Sequence, residues 1–385
     1  MKRIIVLVFL LFLVISCIPS ISFSKAKAEN LSDNIEEQLG NLDLSEMEDF
    51  TNDLNSDNSI SFTNMVYQII NGEYNSDYSN VKEYLIGLFL NDVNDYLPIL
   101  FTIVAISVFC ALIQNAKSIF ASESVSNIIF LVCFLTVILL LSSHVISIWQ
   151  ETKKTLENIS KTNEIMSPII LTLMIASGGN VSAAIYKPAV AFFSNGVINV
   201  LLYVCLPIIS LITIFGVISN FSSNFKLKKF GDFFNGLIKW IVGIIVSIFG
   251  IYISIQGVSG AIHDGISIKA AKYAISNSIP LVGGFLRDGF DLVVAGSVLI
   301  KNSVGVASIV VLFFYILSPV IKIAVFGLML KLVAAVTESI SDSKISDLCS
   351  CVAKSISYLN VLILLSGFMM FISILLMIFS ANAFF

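Results

Sequence analysis

From Tyr96 to Phe385 the chain repeatedly writes apolar runs long enough to cross a bilayer, several of them with no charge inside. A hydrocarbon core of about 30 Å needs about 20 apolar residues of helix, and backbone at that depth must find its hydrogen bonds within protein. These runs therefore predict an all-α, polytopic membrane protein. The best spans are Tyr96 to Ile113, Ile128 to Trp149, Ala189 to Ile218, Leu237 to Ile255, Ser303 to Val320 and Leu359 to Phe379, giving about six crossings. A soluble reading is excluded by composition: 57% of residues are apolar and only 12% charged, against about 25% charged in soluble domains.

The formal net charge of −4 conceals an asymmetry. Residues 1–28 carry +4, residues 29–95 carry fifteen acids against the single Lys82, and the remainder carries +6. The chain thus divides into an N-terminal basic and apolar leader (1–28), an acidic helical extracytoplasmic region (29–95) and a polytopic membrane domain (96–385). Lys2 and Arg3, the apolar stretch Ile4 to Ile15 and the triplet Ala26-Lys27-Ala28 read as a secretory signal peptide. A lipoprotein-type box at Val14 to Cys17 and an uncleaved anchor stay open beside it. In the acidic region apolar residues recur at three and four, most clearly Phe62, Met65, Val66, Ile69 and Ile70, which predicts short amphipathic helices. Ser45 with Glu48 reads as a capping box, and Asn71-Gly72 as a helix stop. Too few large apolar residues are present for an independent core, so this head is expected to pack on the membrane part or on a partner.

An exported head sends the first crossing inward and leaves Lys226, Lys228 and Lys229 in the cytoplasm, as the positive-inside rule asks. The same count leaves Glu151 to Lys161 outside and reads Ile321 to Val336 as an amphipathic arm at the cytoplasmic surface or against other subunits. Two apolar stretches look re-entrant or broken: Met166 to Ala176, followed by Gly178-Gly179, and Pro280 to Ile300, containing Gly283-Gly284. Full spans remain the alternative. Interrupted helices at membrane depth commonly line a cavity. Each stretch leads to a Lys (Lys187, Lys301) and then to a Tyr four residues before a Pro (Tyr203 and Pro207; Tyr315 and Pro319), a weak sign of a parallel internal repeat. The prolines should loosen their helices.

No phosphate-binding loop, dinucleotide fingerprint or paired-His zinc motif occurs, so no enzyme, cofactor, metal or nucleic-acid role is expected. His144 and His263 lack partners at ligand spacing, and Cys349 and Cys351 lack further ligands. Ionisable groups near spans are the better pointers, because a charge in hydrocarbon must face water or a partner. Lys187, Arg287, Asp288, Asp291 and Lys301 are therefore the candidate path-lining residues, with Gly178, Gly179, Gly283 and Gly284 at the helix breaks. Arg287 and Asp291 could meet as an i, i+4 pair. The bland reading is that these charges only mark span ends at the interface.

Leu44 to Glu48, the element Ala176-Ser177-Gly178-Gly179 leading to Ala183-Ala184-Ile185-Tyr186-Lys187-Pro188, and Ile279 to Gly284 leading to Leu299-Ile300-Lys301-Asn302 occur in an order that resembles the stage III sporulation protein AE family. The likeness covers essentially the whole chain and rests on the ordered set. It implies an endospore former and a permease-like subunit in the mother-cell membrane facing the forespore. That subunit would belong to a channel, or feeding-tube, complex needed for late forespore development. Implied partners are membrane lipid and other membrane subunits of that complex, with self-association as a further option. The resemblance carries no catalytic residues. A self-contained secondary transporter for a small solute is the alternative reading.

Overall fold

The computed structural model describes residues 35, 38–40, 42–54, 61–74, 78–115, 123–221, 227–278, 283–340 and 343–380. The leader and Cys17, Lys226 and Pro280 lie outside them. Among the described residues there is helix and no strand. Two short head helices, α1 (Ser45–Leu54) and α2 (Phe62–Ile70), precede α3 (Tyr78–Asn115) and α4 (Glu123–Ala176). A turn at Ser177 to Gly179 leads into α5 (Asn180–Ala191), which continues through π-helical turns at Phe192–Val197 and Leu201–Cys205 into α6 (Leu206–Phe221). Then come α7 (Lys228–Ser278), α8 (Gly283–Ile340) and α9 (Ser343–Phe379).

Among the described residues, six helical stretches are long and apolar enough to cross a membrane: Lys82–Ile113, Ile128–Ala176, Ile198–Phe221, Lys229–Ser254, Gly289–Ile340 and Lys344–Phe379. Each contains or overlaps one span read from the sequence. The protein is a polytopic all-α membrane protein. The helices are nonetheless longer than a bilayer requires. The 58 residues of α8 rise about 87 Å, so much of the bundle stands outside any 30 Å hydrocarbon layer.

Contacts fix the register. The chain pairs α8 antiparallel with α4, through Lys322 with Glu151 (3.0 Å) and Tyr315 with Asn158 (2.7 Å). It runs α3 parallel to α8, through Tyr84 with Phe314 and Tyr96 with Phe326. A tight hairpin joins α8 to α9, in which Gly367 lies against Ile316 and Gly327 against Ile356. Small residues at such positions let two helix backbones approach closely. The most apolar stretch of α9 is 72% buried within the protein, against 22–44% for the other five. Its apolarity therefore builds the centre of the bundle, while the outer helices carry the exposed apolar surface.

At one end, Phe221 packs on Phe134, Phe230 on Phe215, and the Lys344 ammonium over the Phe130 ring. At the other lie the Ser177 to Gly179 turn, the end of α9 and the head. The head does pack on the membrane part. Phe62, Met65, Val66 and Ile69 of α2 are buried against α8, and α1 rests on α4 with the Lys161 ammonium over the Phe50 ring. Gln38 accepts from Ser297 Oγ (3.0 Å). The head and Lys229 thus occupy opposite ends, as the span count requires.

Several local expectations are corrected. Glu151 to Lys161, read as lying outside, is helical and continues α4 without interruption. Ile321 to Val336 continues α8 as an amphipathic stretch that packs one face on the bundle, where Phe326 meets Tyr96 and His144, and leaves Leu328, Leu332 and Val336 exposed on the other. Met166 to Ala176 and residues 283–300 are continuous with the long helices α4 and α8, and the interruptions fall at their ends. Pro319 leaves α8 intact, whereas the helix ahead of Pro207 is loosened into π turns. In the head, Ser45 donates to the Asp43 carboxylate through both its N–H (3.1 Å) and its hydroxyl. Glu48 does not close a box on its own helix; it reaches across to accept from Thr63 N (2.9 Å) and Oγ1 (3.0 Å), capping α2.

Candidate functional site

The charged and glycine residues singled out in sequence gather at the head-bearing end of the bundle, but they do not converge on one point. Gly178 holds φ +87°, a left-handed conformation open to glycine at little cost. It lets the chain reverse from α4 into α5 beneath Ile268 of α7. Gly179 precedes the first helical residue of α5, and no side chain of its own caps that helix. The cap comes from α7. Asp264, fully buried, accepts from Val181 N at 2.8 Å and Ser182 N at 3.1 Å. A carboxylate at a helix N-terminus satisfies orphan donors and complements the helix dipole.

Asp264 is the residue the sequence reading passed over. The signal available in the sequence is that an acid in a long apolar helix needs donors, and the Gly-Gly break supplies a helix N-terminus.

Lys301 is fully buried, and its ammonium donates to the Ser380 carbonyl at the end of α9. It thereby joins the start of α8 to the last turn of α9. Asp291 does not pair with Arg287; it binds Lys272 of α7 at 2.6 Å, while Arg287 is exposed. The tertiary partner wins because α7 runs beside α8 and presents a base at that height. Lys187 is also exposed. Gly283 and Gly284 are the first two residues of α8; the Asp288 side chain lies outside the described set.

Midway along the bundle a second set of polar groups faces inward. Beside the first π turn, a cavity of about 20 Å³ is lined by Asn163, Ser366 and Ser373 together with Phe193, Val197 and Met370. Asn163 accepts from Ser167 at 2.9 Å. The cavity is large enough for a single water, and π turns in long helices frequently mark functional positions. Among the described residues no group of three or more His, Cys, Asp or Glu could hold a metal.

A family profile described as stage III sporulation protein AE matches residues 60–381. The chain belongs to this family. The stage III sporulation protein AE of Bacillus subtilis (strain 168) is 25% identical over 316 residues, covering 82% of this chain and 79% of that protein. No solved structure matches. The matched region takes in the head helix α2 and every bundle helix. The family is one of sporulation membrane proteins and is not a known enzyme family.

Proposed function

We propose that this family member is a permease-like membrane subunit of the channel complex linking mother cell and forespore, needed for late forespore development. Its bundle sits in the mother-cell membrane, and its head faces the space between the two membranes. The observation that carries this reading is the family match over residues 60–381. It is supported by the placement of the acidic head at the end of the bundle opposite Lys229. Basic residues favour the cytoplasmic side of a span, which puts the head on the other. Exposed Lys187 and Arg287, lying at the head-bearing end, are available to other subunits of the complex.

The test is complementation of a deletion in the endospore-forming host, reading late forespore gene expression and protein level together. The chain should restore expression, and Lys187→Ala or Arg287→Ala should lower it at unchanged protein level. Full complementation by both variants would remove these residues from the functional surface; failure of the chain itself to support late expression would end the proposal. The second reading, a self-contained transporter, draws on the π turns beside a polar-lined cavity. Solute uptake by the purified chain alone in liposomes would favour it.

A further inference from the structure

The longest uncharged apolar stretches of α4 and α7, both with exposed side chains, sit at two different heights along the bundle. On α4 a stretch free of Asp, Glu, Lys and Arg runs between Glu123 and Glu151, with Leu139 and Ile146 exposed. On α7 the corresponding stretch opens at Trp240, directly after Lys239, and ends at Asp264, with Ile244, Ile248 and Ile251 exposed. One chain of contacts levels the two helices. Asn158 of α4 donates to Tyr315 of α8, the neighbouring Ile316 lies against Gly367 of α9, and Phe368 packs on Phe249 of α7.

Both α4 and α7 run antiparallel to α8, as Glu151 with Lys322 and Lys272 with Asp291 show. Nine residues before the shared rung, Trp149 on α4 and Trp240 on α7 therefore stand at the same height. Yet Trp149 closes its apolar stretch and Trp240 opens its own. The whole α4 stretch lies on one side of that height and the α7 stretch on the other. Leu139 and Ile248, exposed within the two stretches, are about 27 Å apart by helical rise, close to the full hydrocarbon thickness of about 30 Å. At the height of the α7 stretch, α4 exposes Lys153, Lys154 and Glu157.

The helices between and beside these two follow the same slope. The α5–α6 run has no Asp, Glu, Lys or Arg between Lys187 and Lys226 and covers both heights, with Phe193 on Phe249 and Phe221 on Phe134. The apolar stretch of α3 begins after Asp95, at Tyr96, which meets His144 of α4. A bilayer set square to the bundle axis would leave one apolar stretch in water or bring the α4 charges into hydrocarbon.

We propose that the bundle crosses the membrane obliquely, so that lipid acyl chains cover α3 and α4 at one height and α7 about a membrane thickness away along the bundle, with Trp149 and Trp240 at opposite interfaces. Tryptophan favours the headgroup level, which suits exposed Trp240, whereas half-buried Trp149 packs on the bundle and marks only the height; each borders charged residues on the outer side of its stretch. A plane that shifts by about 27 Å across helices packed 8–10 Å apart lies well beyond the average helix tilt of about 20°. This rests on the membrane-spanning fold and not on the sporulation role, so either can fail without the other.

The test places single cysteines at Gln150 and Lys239, both exposed and each adjacent to its tryptophan, in the full chain. Intact and permeabilised cells are treated with a membrane-impermeant maleimide, with the unsubstituted chain as background. One of Gln150→Cys and Lys239→Cys should label in intact cells and the other only after permeabilisation, although both sit on one rung. Labelling of both from the same side would overturn the proposal. As a second measurement, nitroxides at Leu139→Cys and Ile248→Cys in phosphatidylcholine–phosphatidylglycerol vesicles should both show high oxygen and low nickel-chelate accessibility, the signature of the bilayer centre. If Ile248 is instead shielded from both reagents, a second copy of the chain covers α7 and the oblique arrangement is wrong.

Discussion

Asp264 and Lys301 show how single buried charges hold this bundle together. Asp264 serves the two backbone donors at the start of α5, so its removal orphans both in a buried site. Asp264→Ala should destabilise by about 1–3 kcal/mol per orphaned donor, read as a lowered thermal midpoint of the detergent-solubilised protein. Asp264→Asn should fall between, since its amide oxygen can still accept. Lys301 was legible as unusual, being a base in an apolar run. Its partner was not, because Ser380 lies 79 positions away and only the α8–α9 hairpin brings the two together.

Among the elements, the head helices were read correctly as helices from their spacing of apolar residues, and the Asn71-Gly72 stop holds, with Gly72 at φ +68°; the Ser45 and Glu48 box does not. The sequence offered Glu48 a partner three residues back, and the structure gave it one fifteen residues on. Burial pushes the Glu48 carboxyl upward, while the combined hydrogen bonds from Thr63, Ser61 and Phe62 outweigh it and hold the group below the usual glutamate value. A depressed carboxyl contributes stability above its unfolded pKa and loses it as pH falls through the folded one. Glu48→Gln should therefore cost about 1 kcal/mol at neutral pH, as loss of a helix cap does, and the gap to wild type should narrow as pH falls below the ordinary glutamate range. Thermal unfolding followed across that range checks both. In the α8–α9 hairpin, a Cβ on Gly367 would meet Ile316 Cδ1 at 2.5 Å. Gly367→Leu should lose about 1–3 kcal/mol by overpacking, and Ile316→Ala in the same chain should restore part of it, the coupling expected of residues in contact.

Over the whole molecule, the head and the Lys229 end are held apart by the length of the bundle. Gln38→Cys and Ser297→Cys should join through a short bis-maleimide in intact membranes, given the 3.0 Å contact between the native side chains. Gln38→Cys with Lys344→Cys should give no intramolecular product. A mobility shift on denaturing gels reads both, and the reverse pattern would dismantle the register. The internal repeat suggested by the two Tyr-Pro elements finds a common direction in α5–α6 and α8. The two copies differ in form, one interrupted by π turns and the other an unbroken helix.

The amino-acid order alone determined the class of this protein and, among the described residues, the six stretches able to cross a membrane, because the cost of exposing backbone to hydrocarbon is paid locally, residue by residue along each helix. It also determined that the acidic head needs another surface, since its apolar stripe is too small to close on itself. Only the tertiary structure decided that Met166 to Ala176 and residues 283–300 extend long helices, which charge takes which partner, and where the outer apolar stretches stand relative to one another. Those outcomes depend on which helices lie side by side and in what register, and packing between segments far apart in the chain sets both.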